Sequence, residues 1–382
     1  MKLSTRDLPM FFAPEHFALG ELLERTVRAD DAALHDAKSV IPRLAALGLL
    51  DYVLPRASGA VDVRSLCLVR EALGQASPLA DAIFAVQGLG SHPIALTPGF
   101  RDGAALLGRV SRGEITMAFA LTEPEAGSDV AALATTAKRD GERGWVLDGE
   151  KIFISNVGIA HSFTVFARVV GDVEGAKTIS AFSVAADAPG LTLEPIGLTG
   201  GGEHPLGRLR MQGCRVAGHA LIGDVGAGMR LALGTLDVFR TSVGAAAVGM
   251  ARRALDESLA HVARRVQFKK RLAEFQLTQA ALAEMATDLD AARLLVYRAA
   301  WDKDVAARSR SGRSPATPVA MAKMFATEAA QRIIDRAVQL HGGLGVTEGS
   351  VVGDLLRDVR PLRIYEGTTE IQKLIIGGEL VS

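Results

Sequence analysis

Cysteine is almost missing from this sequence: Cys67 and Cys214 are the only two in 382 residues, and no C-x-x-C pairing occurs. Neither a disulfide framework nor a zinc site is suggested, because the eight histidines are scattered as well. Excess charge of one sign is also lacking, since 43 Lys and Arg balance 43 Asp and Glu. No net field draws the chain to nucleic acid or to an anionic membrane. The start, Met1-Lys2-Leu3-Ser4-Thr5-Arg6-Asp7, lacks the apolar core of a signal peptide. No apolar run approaches the roughly 20 residues a membrane span requires. There is no G-K-[ST] phosphate loop and no strand–helix alternation, which argues against a doubly wound nucleotide fold. A reduced, cytoplasmic protein is expected.

What is present is an apolar fraction of 48%, enough for two or three domains with substantial cores. From about Pro14 to Leu107 the apolar spacing is helical, as in Phe17, Leu22, Leu23 and Val27, and no acid/base constellation appears. Near Gly113 the texture changes to β-prone runs broken by Gly, Pro and Asp. Trp145 to Ser155 reads as two strands around the Asp148-Gly149 turn, and Phe163–Val169, Ile179–Ala185, Leu191–Ile196 and Leu206–Val216 read as further strands. After Gly228 the helical period returns over Leu231–Val262, Gln276–Trp301 and Pro318–Leu340. The expectation is a multi-domain α+β chain: a helical domain over residues 1–114, a β-barrel or sandwich over 115–222, and a helical bundle over 223–382.

Three stretches could carry chemistry. Leu121-Thr122-Glu123-Pro124-Glu125-Ala126-Gly127-Ser128-Asp129 packs hydroxyls, a proline turn and a glycine into nine positions, so backbone N–H groups can approach a flat polar ring or a phosphate. It reads equally as an ordinary turn. Gln339-Leu340-His341-Gly342-Gly343-Leu344-Gly345 follows a helix rather than a strand, so it fails the dinucleotide fingerprint and reads as a glycine-capped helix end. Ile364-Tyr365-Glu366-Gly367-Thr368-Thr369-Glu370-Ile371-Gln372 places a carboxylate where an extended segment turns into a helix capped by Thr368 or Thr369. Such a helix mouth can hold an acid or base beside an anionic ligand. Its alternative is a capped surface helix with a solvated Glu. Trp145 and Trp301 are expected in the core, and His341 as a packed or capping residue.

Taken in this order, the motifs resemble the acyl-CoA dehydrogenase family of flavoproteins. The resemblance covers nearly the whole chain. It rests on the stretch from Leu121 to Asp129 and on Gln339 through Gln372, with its Gly-Gly-x-Gly, Arg357-Asp358 and Tyr365-Glu366-Gly367-Thr368. It implies a helical domain, a middle β domain and a four-helix bundle, with FAD extended between the last two. By similarity Phe119, Leu121, Thr122, Gly127 and Ser128 line the flavin and its pyrophosphate, while Phe153 and Ser155 stack on or hydrogen-bond the ring. Arg265, Phe268, Gln276, Gln339 and Gly343 match residues that reach the cofactor of a neighbouring subunit. Thr368 and Glu370 match further cofactor contacts. Asp237 to Arg240 matches the stretch along the CoA moiety, Ser128 and Gly367 fall near the thioester, and Glu366 matches the catalytic base. The resemblance further implies an acyl-CoA substrate, reoxidation by an electron-transferring flavoprotein, and a homotetramer built as a dimer of dimers.

The residues agree with that chemistry, since α-proton removal needs a desolvated base of raised pKa and donors for the enolate oxygen, the Glu366 N–H among them. Departures are visible too. Lys269 follows Phe268 where the family usually has glycine, and Gly200-Gly201-Gly202-Glu203-His204-Pro205 replaces a more usual Ser/Thr-containing segment. Near Asp81 there is none of the arginine with which dicarboxylyl-CoA members bind a distal carboxylate. Two other readings of the fold are a flavin oxidase and a DNA-binding flavoprotein; the balanced charge gives the second no support. Acyl identity, and CoA against carrier-protein thioesters, stay open.

Overall fold

The computed structural model describes residues 4–56, 59–141, 144–171, 178–199, 204–309 and 316–381. Five helices come first: α1 (Pro14–Thr26), α2 (Ala37–Ala46), α3 (Val63–Ala76), α4 (Pro78–Ala95) and α5 (Gly103–Ser111). Eight strands follow: β1 (Met117–Ala120), β2 (Thr136–Asp140), β3 (Gly144–Ser155), β4 (Ser162–Val170), β5 (Ile179–Ala185), β6 (Leu191–Pro195), β7 (Leu206–Ala217) and β8 (Leu221–Ile222). Then come α6 (Gly228–Arg264), a hairpin of β9 (Val266–Gln267) and β10 (Lys270–Arg271), and α7 (Gln276–Ser309), α8 (Ala316–His341), α9 (Val351–Val359) and α10 (Thr369–Val381). The expected sequence of helices, strands and helices is therefore present. Packing groups it into two compact units, one of Met1–Ala32, Asp62–Asp81 and Arg240–Ser382, the other of Ala33–Val61 and Ala82–Phe239.

The second unit is organised by one sheet in the order β6-β7-β3-β2-β4-β5-β8, with β1 added in parallel to β4. Successive residues of a strand face opposite sides, and the cores obey this. Phe163, Val165 and Ala167 of β4 join Trp145, Leu147, Phe182 and Leu209 in one cluster, whereas Phe166 joins Met117, Ile222, Ile94 and Leu231 in another. Both faces are thus covered. Trp145 is buried as expected.

One strand differs from the sequence expectation. Residues 144–155 form a single strand rather than two around Asp148-Gly149, because both halves pair with the long β7 and the Asp-Gly pair is absorbed as an irregularity in register. Gly149 has φ +145°, and an added Cβ would lie 2.6 Å from Thr135 Oγ1. The Asp148 carboxylate accepts the Gly213 N–H at 2.6 Å instead of closing a turn.

The first unit packs α1 and α7 on α3, and α9 and α10 on α8. Here α3 and α6 approach closely: a Cβ on Gly74 would stand 2.5 Å from the Ala246 carbonyl oxygen, and one on Gly249 2.1 Å from that of Glu71. Ion pairs are buried in this unit. Arg64 Nε donates to Asp304 at 2.6 Å, and Arg293 Nε donates to Glu71 at 3.1 Å. His16, Asp62 and Asp304 gather closely enough to resemble a metal site, but hydrogen bonds already occupy them. His16 Nδ1 accepts the Ala13 N–H, so its Nε2 donates to Asp62, and Asp304 takes the N–H groups of Val63 and Arg64.

Trp301, expected in the core, is 37% exposed. Its position on α7 follows the helical period, but amphipathic spacing does not distinguish a covered edge of the stripe from an open one. Helix α6 is long and apolar enough to cross a membrane by composition alone, yet 67% of its most apolar stretch is buried inside the fold. Both cysteines are buried and free.

Candidate active site

In the second unit a buried ion pair sets the geometry of the loop after β1. Lys151 Nζ donates to Glu123 Oε1 at 2.7 Å and to the Leu121 carbonyl at 3.0 Å, while Glu123 also accepts the N–H groups of Ala134 and Thr135. Burial pushes the Lys151 pKa down to about 8 against the pull of Glu123. Burial also disfavours the Glu123 carboxylate, but Lys151 and the hydrogen bonds outweigh it, and its pKa is lowered. The Ile152 N–H donates to the Thr122 carbonyl at 3.0 Å, so the loop lies along β3. Leu121 and Thr122 are in this way held against Lys151 and Ile152 of β3, next to Phe153, while Gly127 and Ser128 follow in the same loop.

That strand end is distorted in a specific manner. Register with β7 shifts between Lys151 and Ile154, and Phe153 and Asn156 take φ values of +57° and +67°. Lys151, on the same side of β3 as Trp145 and Leu147, is buried, and Phe153 is left 61% exposed between half-buried Ile152 and buried Ile154. Left-handed backbone at a non-glycine residue costs about 1–2 kcal/mol, and such strain concentrates at ligand sites. Ser155 Oγ lies 2.9 Å from His204 Nε2, whose pKa burial pushes down to about 4. The imidazole is neutral near pH 7 and can present either tautomer to the hydroxyl. Gly200, Gly201, Gly202 and Glu203, which precede it, lie outside the described residues. Asp237 is half-buried on α6.

In the first unit Glu366 is the centre. The segment before it is a short 3-10 turn, Arg360–Arg363, not the extended segment expected from sequence: Pro361 opens the turn and its carbonyl accepts the N–H groups of Ile364 and Tyr365. Glu366 and Gly367 then adopt φ +53° and +90°. Two cations hold this kink by its carbonyls. Arg240 Nε donates to the Glu366 carbonyl at 3.0 Å, and Lys323 Nζ donates to that of Gly367 at 2.7 Å, joined by Gln372 Nε2 at 2.9 Å. Thr368 Oγ1 accepts the Ile371 N–H at 3.3 Å, which confirms it as the cap of α10.

The Glu366 residue is half-buried, but its Oε2 is sealed from solvent and has no hydrogen-bond partner. Burial raises its pKa above the usual carboxylate value; the charges of Arg70, Arg240 and Lys323 oppose that without cancelling it. Lys323 is itself pushed down to about 8 by burial. An arginine does lie on Asp81, but it is buried and already occupied. Arg70 donates to both of its carboxylate oxygens, at 2.9 and 2.8 Å, and to Ser242 Oγ at 3.0 Å. Asp81 and Ser242 thereby engage the buried guanidinium from three nitrogens.

The other expected residues of this unit are on its surface. Arg265, Phe268 and Gln276 cluster in the connection from α6 to α7, where Phe268 is 88% exposed and Phe268 and Lys269 hold φ +50° and +63° across the β9–β10 turn. Gln339 and Gly343 are exposed at the end of α8, and Glu370 in the first turn of α10. His341 packs as expected, its ring stacked on His261 at 4.3 Å. Sequence reading missed Lys151, Glu123, His204, Lys323 and Arg70. The one local signal was the lysine inside the apolar run of β3.

The profile of the acyl-CoA dehydrogenase middle domain matches residues 118–214, and that of the acyl-CoA dehydrogenase C-terminal domain matches residues 226–381. The chain is 33% identical to the 3-(aryl)acrylate reductase of Clostridium sporogenes over 97% of its own length and all of the relative's. It is 37% identical to the probable acyl-CoA dehydrogenase FadE25 of Mycobacterium tuberculosis over 84% of this chain and 81% of that one. Among solved structures, an acyl-CoA dehydrogenase complexed with FAD from Bacillus anthracis superposes with a TM-score of 0.87 at 28% identity, covering all of this chain and 69% of that one. The chain belongs to the acyl-CoA dehydrogenase family of flavoprotein oxidoreductases.

Proposed function

We propose that the protein removes hydrogen from the α and β carbons of an acyl-CoA thioester to give the trans α,β-enoyl-CoA, with Glu366 as the base. The observation that carries this reading is the Glu366 carboxylate: one oxygen sealed and unpartnered, its pKa raised by burial, on a backbone kink clamped by Arg240 and Lys323. A carboxylate held in that way takes a carbon-bound proton more readily than a solvated one. Among the described residues the Glu366 N–H meets no acceptor, which leaves it available to the thioester oxygen.

FAD supplies the two-electron acceptor when bound. The residues fit it. Phe153 and Phe268 present bare rings at 61% and 88% exposure, and no atom stands within 4 Å of where a Cβ would sit at Gly127 or Gly343. Phe119, Leu121, Thr122, Ser128 and Ser155 would hold the cofactor with them, as would Arg265, Gln276, Gln339, Thr368 and Glu370. Ser128, Asp237, Arg240 and Gly367 are proposed for the substrate; Arg240 also acts through the Glu366 main chain. Electrons pass to an electron-transferring flavoprotein. The homotetramer is supported by exposed apolar residues of the first unit, Val266, Phe268, Leu277, Leu344 and Val346.

Anaerobic mixing of the yellow protein with a panel of acyl-CoA and acyl-carrier-protein thioesters, straight, branched and aryl, tests the reading. Bleaching of the flavin by at least one thioester is expected, and no bleaching by any overturns it. Rapid oxygen uptake during turnover would instead indicate an oxidase. One second reading has specific support: the likeness to the arylacrylate reductase along 97% of this chain favours an aryl substrate and operation in the reducing direction. Oxidation of reduced protein by an aryl enoyl thioester measures that directly.

A further inference from the structure

A cleft of about 500 Å³ opens in the first unit among α1, α3, α6 and α7, and no residue of the site described above lines it. Its floor is built from Glu71, Arg252 and Arg293. Arg293 Nε donates to the two Glu71 oxygens at 3.1 and 3.3 Å, and its Nη2 donates to the Ser4 carbonyl at 3.2 Å. Arg252 Nη1 stands 3.9 Å from Glu71 Oε1, and the Tyr297 hydroxyl donates to Oε2 at 2.5 Å. One carboxylate therefore serves two guanidiniums, and the floor keeps one positive charge in excess.

Two donors on that floor are unused. Arg293 Nη1 and Arg252 Nε are both out of contact with solvent and without a hydrogen-bond partner, and the Arg293 side chain is only 2% exposed. Buried guanidinium N–H groups are rarely left unfilled, and their planar fork matches an oxyanion. On the rim Arg28 is paired with Asp30 and Arg253 with Glu257, and the remaining charge is the Glu24 carboxylate of α1, which offers no donor to an anion and leaves Arg252 and Arg293 as the cations that face it. Above the floor the walls are apolar, formed by Leu23, Val27, Leu68, Ala72 and Ala76. The volume lies within the range of small-molecule sites, about 300–1,000 Å³.

We infer that this cleft binds a small organic oxyanion, its carboxylate or phosphate head on Arg252 and Arg293 and its short apolar body along Leu23, Val27 and Leu68. The inference stands independently of the thioester reaction. It is tested on the flavin-loaded protein by calorimetric titration with butanoate, butyl phosphate and inorganic phosphate against a constant chloride background. Saturable binding is expected, tighter for the butyl compounds than for inorganic phosphate, and the stronger butyl compound identifies the head. Arg252→Gln should weaken binding at least tenfold while flavin content and bleaching stay as in wild type. Ala72→Leu, which fills the cleft without touching a charge, should do the same and decides the matter if Arg252→Gln fails to fold. Equal binding by wild type and Ala72→Leu overturns the inference, as does a response no different from that to added chloride.

Discussion

Lys323 Nζ donates to the carbonyl oxygen of Gly367 at 2.7 Å, from a position on α8 that is fully buried. The bond joins a helix of the bundle to the kink that carries Glu366, and among the described residues no other cation reaches that carbonyl, since Gln372 is neutral. Lys323→Met keeps the length of the stem and removes the donor. A hydrogen bond from a charged group contributes about 1.5–3 kcal/mol, so a loss of about 2 kcal/mol in urea unfolding is expected. Flavin content should remain, while bleaching by thioester slows. A variant that unfolds earlier but bleaches at the wild-type rate would make Lys323 structural only.

Glu366→Gln separates function from stability. It should keep the flavin and slow its reduction by about 10³-fold, in the range general-base catalysis provides. The pH dependence has a definite sign. Burial holds the folded-state pKa of Glu366 above its unfolded value, so between the two the native chain binds more protons and stability falls as pH rises. The wild type therefore carries an unfavourable carboxylate at pH 7 that the amide variant lacks. The variant should be the more stable protein at pH 7, with the difference shrinking toward pH 4; a less stable variant at pH 7 would contradict the assigned burial. In wild type, reduction should slow as pH drops through an apparent pKa above the usual glutamate value.

His204 supplies a second pH signature, from the other unit. Burial puts its folded pKa at about 4, below the 6.5 of a solvated imidazole, so the unfolded chain binds more protons between those values. Stability is complete above pH 6.5 and is lost as pH falls toward 4. The loss is at most about 2 kcal/mol once partial exposure is allowed for. His204→Asn, which cannot be protonated, should lose less over the same window in thermal unfolding. It also changes the hydrogen-bond partner of Ser155, so FAD titrated into the apoprotein should bind more weakly with a shifted absorption band. Unchanged affinity and spectrum would detach His204 from the cofactor.

How far these features were legible depends on the range of the contacts. Thr368 as a cap and Glu366 at a helix mouth are set by residues within a few positions, and the order of motifs was enough to find them. Asp148-Gly149 misled because the dipeptide reads as a hairpin turn, whereas pairing of both halves with β7 overrides local turn chemistry. Lys151 falls on the inward side of β3 with Trp145 and Leu147, and it is the register shift after it that turns Phe153 out and Ile154 in, which no alternation in the sequence foretells. Arg70 and Ser242 are separated by 172 positions, and Ser155 and His204 by 49. No periodicity brings such pairs together; only the packed chain does. Trp301 illustrates the reverse, since an apolar residue at helical spacing need not be covered.

The Glu123–Lys151 pair yields the sharpest test of how the loop over residues 121–129 is held. Removing one member of a buried ion pair leaves an uncompensated charge and costs about 3–5 kcal/mol, whereas replacing both by apolar residues is often neutral or stabilising. Glu123→Ala should therefore strongly destabilise the protein, for Lys151 Nζ would keep only the Leu121 carbonyl. Glu123→Leu combined with Lys151→Met should recover most of that stability. It should not recover the cofactor, because the Ala134 and Thr135 N–H groups and the Leu121 carbonyl lose the contacts that fix the loop beside β3. Urea unfolding and FAD titration on the two variants read the two effects separately. If the double variant binds FAD as tightly as wild type, the pair holds the fold and not the loop.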